Sequence, residues 1–209
     1  MKKKYLIVSF EGIDGCGKST QAKKFVRYVK SKDFKVIFLK EPGSTQLGER
    51  LRDILLAKKL DILPLSELFL YLAARNELIT RKIKPRLGEK TIFVLDRFID
   101  STVAYQGYGR GISLKFIEDL HQSILYGIIP DITFVIDAPV SIIKGIKGKN
   151  ADRLEKSAKF QTRVRIGYLK IAKQQPKRVK IIQRGTIDQT FQRIQKTWQD
   201  FLNESNTGI

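Results

Sequence analysis

The run from Gly12 to Ser19 combines residue types and spacing that can bind phosphate groups. It reads GIDGCGKS and matches the pattern G-x-x-x-x-G-K-[ST], with an apolar run before it and an amphipathic pattern after it. The glycines let successive backbone N–H groups point at phosphate oxygens, and the N-terminus of the following helix adds partial positive charge. The motif predicts a nucleoside triphosphate site formed by Gly12, Ile13, Asp14, Gly15, Cys16, Gly17, Lys18, Ser19 and Thr20. A glycine-rich turn without a ligand is the competing interpretation.

Three side chains of this loop have expected chemistry. Lys18 is expected to contact the β- and γ-phosphates, and the Ser19 hydroxyl is expected to ligate Mg²⁺. Asp14 is unusual, because a carboxylate in an anion-binding loop opposes binding unless it faces a hydroxyl, a metal-bound water or a cation. A solvated turn residue is the alternative for Asp14. The motif does not select the reaction, because helicases, GTPases, transporters and small-molecule kinases share it.

Further polar residues follow the predicted strands. Asp96 and Arg97 end one apolar run and Lys40 ends another, so they lie where the carboxyl ends of parallel strands form a ligand crevice. Asp96 can orient the hydration shell of Mg²⁺, and the planar guanidinium of Arg97 can clamp a phosphate. A surface ion pair between them is the alternative. Tyr71 and Arg75 lie on one helix face and could contact a nucleobase, although core packing is the simpler interpretation for Tyr71.

Short apolar runs alternate with amphipathic segments along the chain, which is typical of a parallel sheet covered by helices. The runs predict strands at 5–10, 35–39, 91–95, 132–136 and 179–182. Helices are predicted from residue 18 onward and at 65–83, 114–126, 158–172 and 187–202. The predicted class is α/β, a three-layer P-loop NTPase-type fold with a five-stranded parallel sheet flanked by helices, in a single domain over 1–209. Segment 144–159 is rich in Lys and Gly and predicts a mobile basic lid.

The composition limits the partners and the compartment. The chain has 209 residues and 40 Lys and Arg against 21 Asp and Glu, a net charge of +19 that attracts anions in general. Nucleic acid, an acidic membrane and free nucleotides all fit this charge. The single cysteine excludes a disulfide framework and fits a reducing cytoplasm. The apolar run after the N-terminal lysines is too short for a signal peptide, and no run is long enough to cross a membrane.

Motifs beyond the phosphate loop make the chain resemble the bacterial-type thymidylate kinases, which are P-loop nucleoside monophosphate kinases. The similar segments keep their order and spacing from residue 5 to about residue 170, and Ala104-Tyr105-Gln106-Gly107 is the most specific of them. The other similar segments are Phe10-Glu11-Gly12 through Lys18-Ser19-Thr20, Glu41-Pro42-Gly43 followed by Thr45, Leu70-Tyr71-Leu72-Ala73-Ala74-Arg75-Asn76, Asp96-Arg97-Phe98, Asp100-Ser101-Thr102-Val103 directly before Ala104, Pro130-Asp131, Asp152-Arg153-Leu154-Glu155 and Gly167-Tyr168-Leu169.

The resemblance implies transfer of the γ-phosphoryl group of ATP to dTMP, giving dTDP and ADP, with Mg²⁺ as the only metal, held by Ser19 and, partly through water, Asp96. It implies a homodimer and no nucleic-acid or membrane partner. The implied catalytic residues are Lys18, Arg97, Asp14 and Arg153. The implied dTMP-binding residues are Lys40, Pro42, Arg52, Tyr71, Arg75, Arg97, Thr102, Tyr105 and Gln106.

Individual roles also follow from the resemblance. Tyr71 would stack on thymine, Arg75 would donate to a thymine carbonyl, and Thr102 and Gln106 would hydrogen-bond the base. Tyr105 would pack where a ribose 2′-hydroxyl would sit. Lys40, Arg52 and Arg97 would hold the monophosphate. Asp14 would face the sugar 3′-hydroxyl or a metal-bound water, and Arg184 would lie against adenine.

The sequence departs from the family pattern in the lid and after the second strand. The lid carries Lys144, Lys147 and Lys149 with Arg153 as its only arginine, although members without a basic residue inside the phosphate loop usually place arginines there. Lysine supplies charge without the bidentate fork of arginine. The family also usually has Arg at position 40 and Gly at position 44, where this chain has Lys40 and Ser44.

Other interpretations of the sequence stay open. The chain could phosphorylate another monophosphate, such as dUMP or UMP, and a substrate panel separates these. A nucleic-acid-dependent ATPase would show salt-sensitive binding and stimulated hydrolysis. An inactive nucleotide-binding protein is a third reading, suggested by the lysine-rich lid. His121, the only histidine, is expected to be structural or exposed, and no zinc site is expected.

The lid arginine provides the first test. Arg153→Ala should lower kcat strongly and leave the affinity for dTMP nearly intact, because the lid acts on the transferring group and not on the bound monophosphate. Steady-state kinetics and a dTMP binding titration measure the two quantities. An unchanged kcat would remove Arg153 from the mechanism.

Overall fold

The computed structural model describes residues 4–32, 34–57, 59–141 and 158–205. Its centre is a parallel sheet of five strands in the order β2-β3-β1-β4-β5. Each strand pairs with its neighbours in parallel register, for example Phe10 with Asp96 and Lys40 with Asp96. The strands are β1 (Tyr5–Glu11), β2 (Lys35–Lys40), β3 (Thr91–Asp96), β4 (Ile132–Asp137) and β5 (Val179–Gln183).

Helices connect the strands and cover the sheet. Residues Ile79–Ile83 continue the third helix as a π-helical turn, and Val103–Gly109 continue the fourth in the same way. The helices are α1 (Lys18–Lys30), α2 (Gln46–Leu56), α3 (Pro64–Leu78), α4 (Ile99–Thr102), α5 (Leu114–Leu125), α6 (Ala158–Gln174) and α7 (Ile187–Ser205).

Alternate residues of β1 enter the two hydrophobic layers, because successive side chains of a strand point to opposite faces. Leu6, Val8 and Phe10 belong to the cluster that α1, α6 and α7 cover. Ile7 belongs to the cluster that α3 and α5 cover. The sheet is therefore buried on both faces, which explains why its strands are continuous apolar runs.

The predicted fold class is confirmed, and each predicted strand ends within one residue of the observed strand. The predicted helix at 65–83 is α-helical only to Leu78 and then changes to the π-helical turn. The helix at 99–109 was not predicted. Of the predicted lid, residues 144–157, with Lys144, Lys147, Lys149 and Arg153, lie outside the described residues, whereas Ala158 and Lys159 are the first residues of α6. None of the helices within the described ranges is long and apolar enough to cross a membrane.

Candidate active site

The phosphate loop begins where β1 ends and is wedged against β4. Gly12 has φ 135°, a conformation that residues with a side chain rarely adopt. A Cβ at this position would lie 2.7 Å from the Ile136 carbonyl oxygen and 2.8 Å from the Cys16 Sγ. Ile13 and Cys16 are both buried beneath the loop, and burial raises the pKa of the Cys16 thiol. Glycine is therefore required at position 12 for steric reasons.

The N-terminus of α1 opens directly onto this loop. Gly17 is the N-cap in the left-handed conformation, and no side chain in the described part of the chain caps the helix. The first N–H groups of a helix lack intrahelical acceptors, so this end suits an anion. The open pocket at this point has lining residues from both the loop and the segment after β5. They are Gly15, Cys16, Gly17, Lys18, Ser19, Thr20, Gln21, Arg184, Gly185, Thr186, Ile187 and Thr190.

Asp14 faces cations and a hydroxyl group, which resolves why an acid stands in the loop. Its carboxylate accepts from Arg97 Nη2, and Tyr105 Oη donates to it at 2.9 Å. Lys18 Nζ lies 3.4 Å from the same carboxylate. Asp14 is therefore not a solvated turn residue, since three donors surround it.

Arg97 lies between the phosphate loop and a second pocket. Its Nη1 donates to the Gly12 carbonyl at 3.0 Å, to Ser101 Oγ at 3.0 Å and to Tyr168 Oη at 3.2 Å. Its backbone has φ 72°, which is uncommon for a residue other than glycine. Despite burial, the pKa of Arg97 is raised because Asp14 lies beside it. The guanidinium is fixed in place as a permanent positive charge.

The second pocket is a cleft that is partly open to solvent and has a volume of about 80 Å³. It opens at the carboxyl ends of β2 and β3, beside the phosphate loop. Its walls combine arginine, aromatic and hydroxyl side chains. The lining residues are Asp14, Glu41, Pro42, Arg52, Leu56, Tyr71, Arg75, Arg97, Ser101, Thr102, Tyr105 and Gln106.

Arg75 is fully buried at the base of this pocket, and protein acceptors use all of its N–H groups. Its Nε lies 2.9 Å and its Nη2 2.6 Å from the carboxylate oxygens of Glu41. Nη1 lies 2.8 Å from both Thr102 Oγ1 and His121 Nε2, and Nη2 also donates to the Phe98 carbonyl at 3.1 Å. Arginine has five N–H groups, so the predicted donation by Arg75 to a thymine carbonyl requires exchange of one of these bonds.

Arg52 and Lys40 occupy different positions at the end of β2. Arg52 lines the pocket, and its Nη1 donates to the Pro42 carbonyl at 3.1 Å. Lys40 is exposed and does not line the pocket. Partial burial and the charge of Arg52 lower the pKa of Lys40. The structure therefore places Arg52 in the wall of this pocket and leaves Lys40 at its margin.

Ser44 adopts a glycine-like backbone, at the position where the family usually has glycine. Its φ is 62°, in the left-handed region. Two hydrogen bonds hold it: its N–H donates to Glu49 Oε1 at 2.7 Å, and its Oγ accepts from the Lys40 N–H at 2.8 Å. The serine hydroxyl thus offsets part of the cost of a conformation that glycine adopts freely.

Ser19 and Asp96 present oxygen ligands of the type that Mg²⁺ prefers. Ser19 is exposed in the phosphate-loop pocket, and Asp96 ends β3 at the same edge of the sheet. Within the described ranges no group of three or more His, Cys, Asp or Glu side chains could hold a metal ion. These two residues fit an ion that arrives with a nucleotide, because such ions keep several phosphate or water ligands.

The family of the chain follows from its similarity to known proteins. The sequence profile described as Thymidylate kinase matches residues 10–194. The chain belongs to the thymidylate kinase family. It is accordingly an ATP-dependent nucleoside monophosphate kinase.

Individual relatives agree with this assignment over most of their length. A thymidylate kinase from Thermosipho africanus is 43% identical over 199 residues, which cover 94% of this chain and 99% of the relative. One from Thermoanaerobacter sp. strain X514 is 43% identical over 180 residues, covering 85% and 88%. A crystal structure of thymidylate kinase from Ehrlichia chaffeensis has a TM-score of 0.77 and 38% identity, covering 93% of this chain and 98% of that one.

Several residues that line or support the second pocket were not predicted from the sequence. Glu41, Leu56 and Ser101 line the pocket, although they were not predicted to bind a ligand. Glu41 and Ser101 lie within motifs that resemble the family, but their distant partners are not visible in the sequence. Leu56 has no signal that separates it from a core residue of α2.

Glu11 supports the site from beneath and was not predicted to do so. Its carboxylate accepts from the Phe98 N–H at 2.6 Å, from Tyr168 Oη at 3.1 Å and from Ser101 Oγ. Complete burial and the nearby Asp100 raise the pKa of Glu11 to about 7. Glu11 therefore fixes the segment after Arg97 that carries Ser101.

His121 is buried and structural, which is one of the two roles expected from the sequence, the other being an exposed residue. Its Nε2 faces Arg75, which can only donate, so the ring nitrogen must carry a lone pair and the ring is neutral. Burial, and then the charge of Arg75, lower the pKa of His121 to about 3.

The low pKa of His121 predicts an acid-dependent loss of stability. In the unfolded chain His121 takes up a proton near pH 6.5, whereas in the folded chain it does so only near pH 3. The contribution of neutral His121 to folding stability is therefore fully present above pH 6.5 and is lost as the pH falls. In urea unfolding from pH 7 to 4, wild type should lose up to about 1.4 kcal/mol per pH unit more than His121→Gln, which cannot titrate. Parallel pH curves for the two proteins would contradict the prediction.

Proposed function

We propose that the enzyme transfers the γ-phosphoryl group of ATP to the phosphate of dTMP, forming dTDP and ADP for dTTP biosynthesis. One observation carries the proposal: the Arg97 guanidinium contacts both the Gly12 carbonyl of the phosphate loop and the hydroxyls that border the second pocket. The phosphate loop and the second pocket, each proposed to bind an anion, therefore border the same fixed cation, Arg97. That arrangement suits a reaction between two phosphate groups.

In this proposal, ATP lies along the phosphate loop. Backbone N–H groups from Gly15 to Lys18 hold its β- and γ-phosphates, and the loop that carries Arg184 lies against adenine. Ser19 and, through water, Asp96 would hold Mg²⁺, which supplies charge neutralisation on the phosphates. The phosphate loop and Arg184 line the same pocket, which supports this placement of ATP.

dTMP occupies the second pocket in the same proposal. Tyr71 stacks on the base, and Thr102 and Gln106 hydrogen-bond its edge. Tyr105 packs against the sugar, where its ring leaves no room for a 2′-hydroxyl. Arg52 and Arg97 hold the monophosphate, with Lys40 adding charge from the margin. These residues, Lys40 excepted, line one cavity, and that supports the assignment.

Catalysis then depends on position and charge, without a general base. The acceptor oxygen of a monophosphate is already an anion, so no proton has to be removed before attack. Two polyanions must approach in line, and Lys18 and Arg97 reduce their repulsion and stabilise the charge that shifts between oxygens. Asp14 pairs with both cations and so holds them in position before the substrates bind. In this proposal it also faces the sugar 3′-hydroxyl.

The proposal includes features beyond the described site. The chain forms one domain over 1–209. The proposed lid, segment 144–159, would exclude water from the nucleotides, and its residues 144–157 lie outside the described residues. A cytoplasmic location fits the single, free and buried Cys16.

A homodimer is supported by apolar side chains exposed on neighbouring helices, including Leu65, Phe69 and Phe116. Sedimentation velocity should give about twice the mass of one chain, and a monomer at all concentrations would contradict the dimer.

A substrate panel tests the proposed reaction. Purified protein with ATP and Mg²⁺ should phosphorylate dTMP with a higher kcat/KM than dUMP, UMP or dGMP. Chromatography of the nucleotide products measures each rate. Preferential phosphorylation of another monophosphate would reassign the substrate, and hydrolysis of ATP that DNA or RNA stimulates would overturn the proposal.

The central role of Arg97 gives a sharper test. Arg97→Met should lower kcat for dTMP by about 100-fold or more, because a preorganised cation at the transferring group is lost. Arg81→Met is the matched control, since Arg81 is exposed and, among the described residues, pairs only with Glu77 on the surface. A fall of less than threefold in Arg97→Met, with the fold intact by circular dichroism, would remove Arg97 from the mechanism.

A further inference from the structure

A buried carboxylate, Glu67, lies behind the wall of the second pocket. Glu67 is on α3 and is 2% exposed. Its Oε1 accepts from Gln106 Nε2 at 2.9 Å. Arg110 donates to both oxygens, from Nη2 at 2.9 Å and from Nε at 3.3 Å. Bidentate pairing with arginine is typical of an ionised carboxylate, so Glu67 can only accept hydrogen bonds here.

This pairing fixes which end of the Gln106 amide points toward the pocket. Because Glu67 only accepts, Gln106 must turn its NH₂ group toward it, and the carbonyl Oε1 then points the other way. Gln106 lines the pocket. Among the described residues no donor bonds to Oε1. Because Oε1 is also not one of the fully buried polar atoms that lack a partner, it is accessible from the pocket. The pocket wall therefore presents a hydrogen-bond acceptor.

Thr102 presents the complementary group beside it. Its Oγ1 accepts from Arg75 Nη1 at 2.8 Å, and a hydroxyl also has one hydrogen to donate. Within the described part of the chain no acceptor takes that hydrogen. The wall thus offers one acceptor, Gln106 Oε1, and one donor, the Thr102 hydroxyl. Thymine and uracil carry an N3–H donor next to carbonyl acceptors, whereas cytosine carries an acceptor at N3 and an amine donor at N4.

We propose that Glu67 is a positioning residue that sets base specificity: it holds the Gln106 carbonyl toward the pocket, so the site accepts a pyrimidine with N3–H and rejects cytosine. The inference rests on the proposed function, since it requires that a pyrimidine base occupies this pocket. The Glu67 carboxylate does not touch the base. Its effect passes through the orientation of one amide, which can otherwise turn over to match either kind of ring.

Glu67→Gln tests the proposal with almost no change of shape. A carboxamide at position 67 can donate as well as accept, so Gln106 is no longer held in one orientation. The ratio of kcat/KM for dTMP to that for dCMP should fall about tenfold or more, which corresponds to about one hydrogen bond. A merely structural role would lower both values together and leave the ratio unchanged. Glu67→Asp keeps an acceptor-only group and should retain more of the ratio than Glu67→Gln.

Glu77→Gln is the matched control, because it removes a carboxylate from the same helix at a surface pair with Arg81. It should leave the ratio unchanged. An unaltered ratio in folded Glu67→Gln would overturn the proposal. If Glu67→Gln does not fold, Gln106→Met removes the same acceptor and must also lower the ratio, and an unaltered ratio there overturns the proposal equally.

Equilibrium titrations with dTMP and dCMP separate this inference from the proposed reaction. Wild type that binds dTMP in preference to dCMP but makes no dTDP would contradict the proposed function and leave the affinity ratio as the readout for Glu67. Wild type that makes dTDP while Glu67→Gln keeps the full preference would contradict only the role of Glu67.

Discussion

The site depends on keeping one guanidinium in a confined space between the phosphate loop and the second pocket. Removing a charge from water is costly unless several oxygens surround it. Arg97 meets that condition with the Gly12 carbonyl, the Asp14 carboxylate and the hydroxyls of Ser101, Tyr105 and Tyr168. Its left-handed backbone brings the side chain to this position directly from the end of β3. The loop and the second pocket are organised around the same group.

Other buried charges repeat this arrangement and connect distant elements. Glu41 after β2 pairs with Arg75 on α3, and Asp100 at the start of α4 pairs with Arg178 before β5 at 2.7 Å. A buried pair contributes little net stability compared with apolar packing, but breaking one member leaves a costly unpaired charge. Such pairs therefore define where the elements meet more than they define how stable the protein is.

The sequence was most informative where the relevant interactions are local. The strands are continuous apolar runs because both faces of the sheet are buried, and the phosphate loop is a contiguous motif. Segment 99–109 was missed because glycine and β-branched residues disfavour helices. It is helical through packing on α6, where Gly109 is so close to Phe160 that a Cβ would lie 2.8 Å from that ring. The partners of Arg75 come from three separate segments, so no spacing rule could reveal that its donors are already used.

The close contact between Gly12 and β4 restricts movement of the phosphate loop. With 2.7 Å between a notional Cβ and the Ile136 carbonyl, the chain has no space to collapse inward, and buried Ile13 and Cys16 prevent it from lifting outward. The amides are thus preorganised, and little conformational entropy remains to be lost when a polyphosphate arrives. The rigidity of this end of the site is therefore inherited from the sheet beneath it.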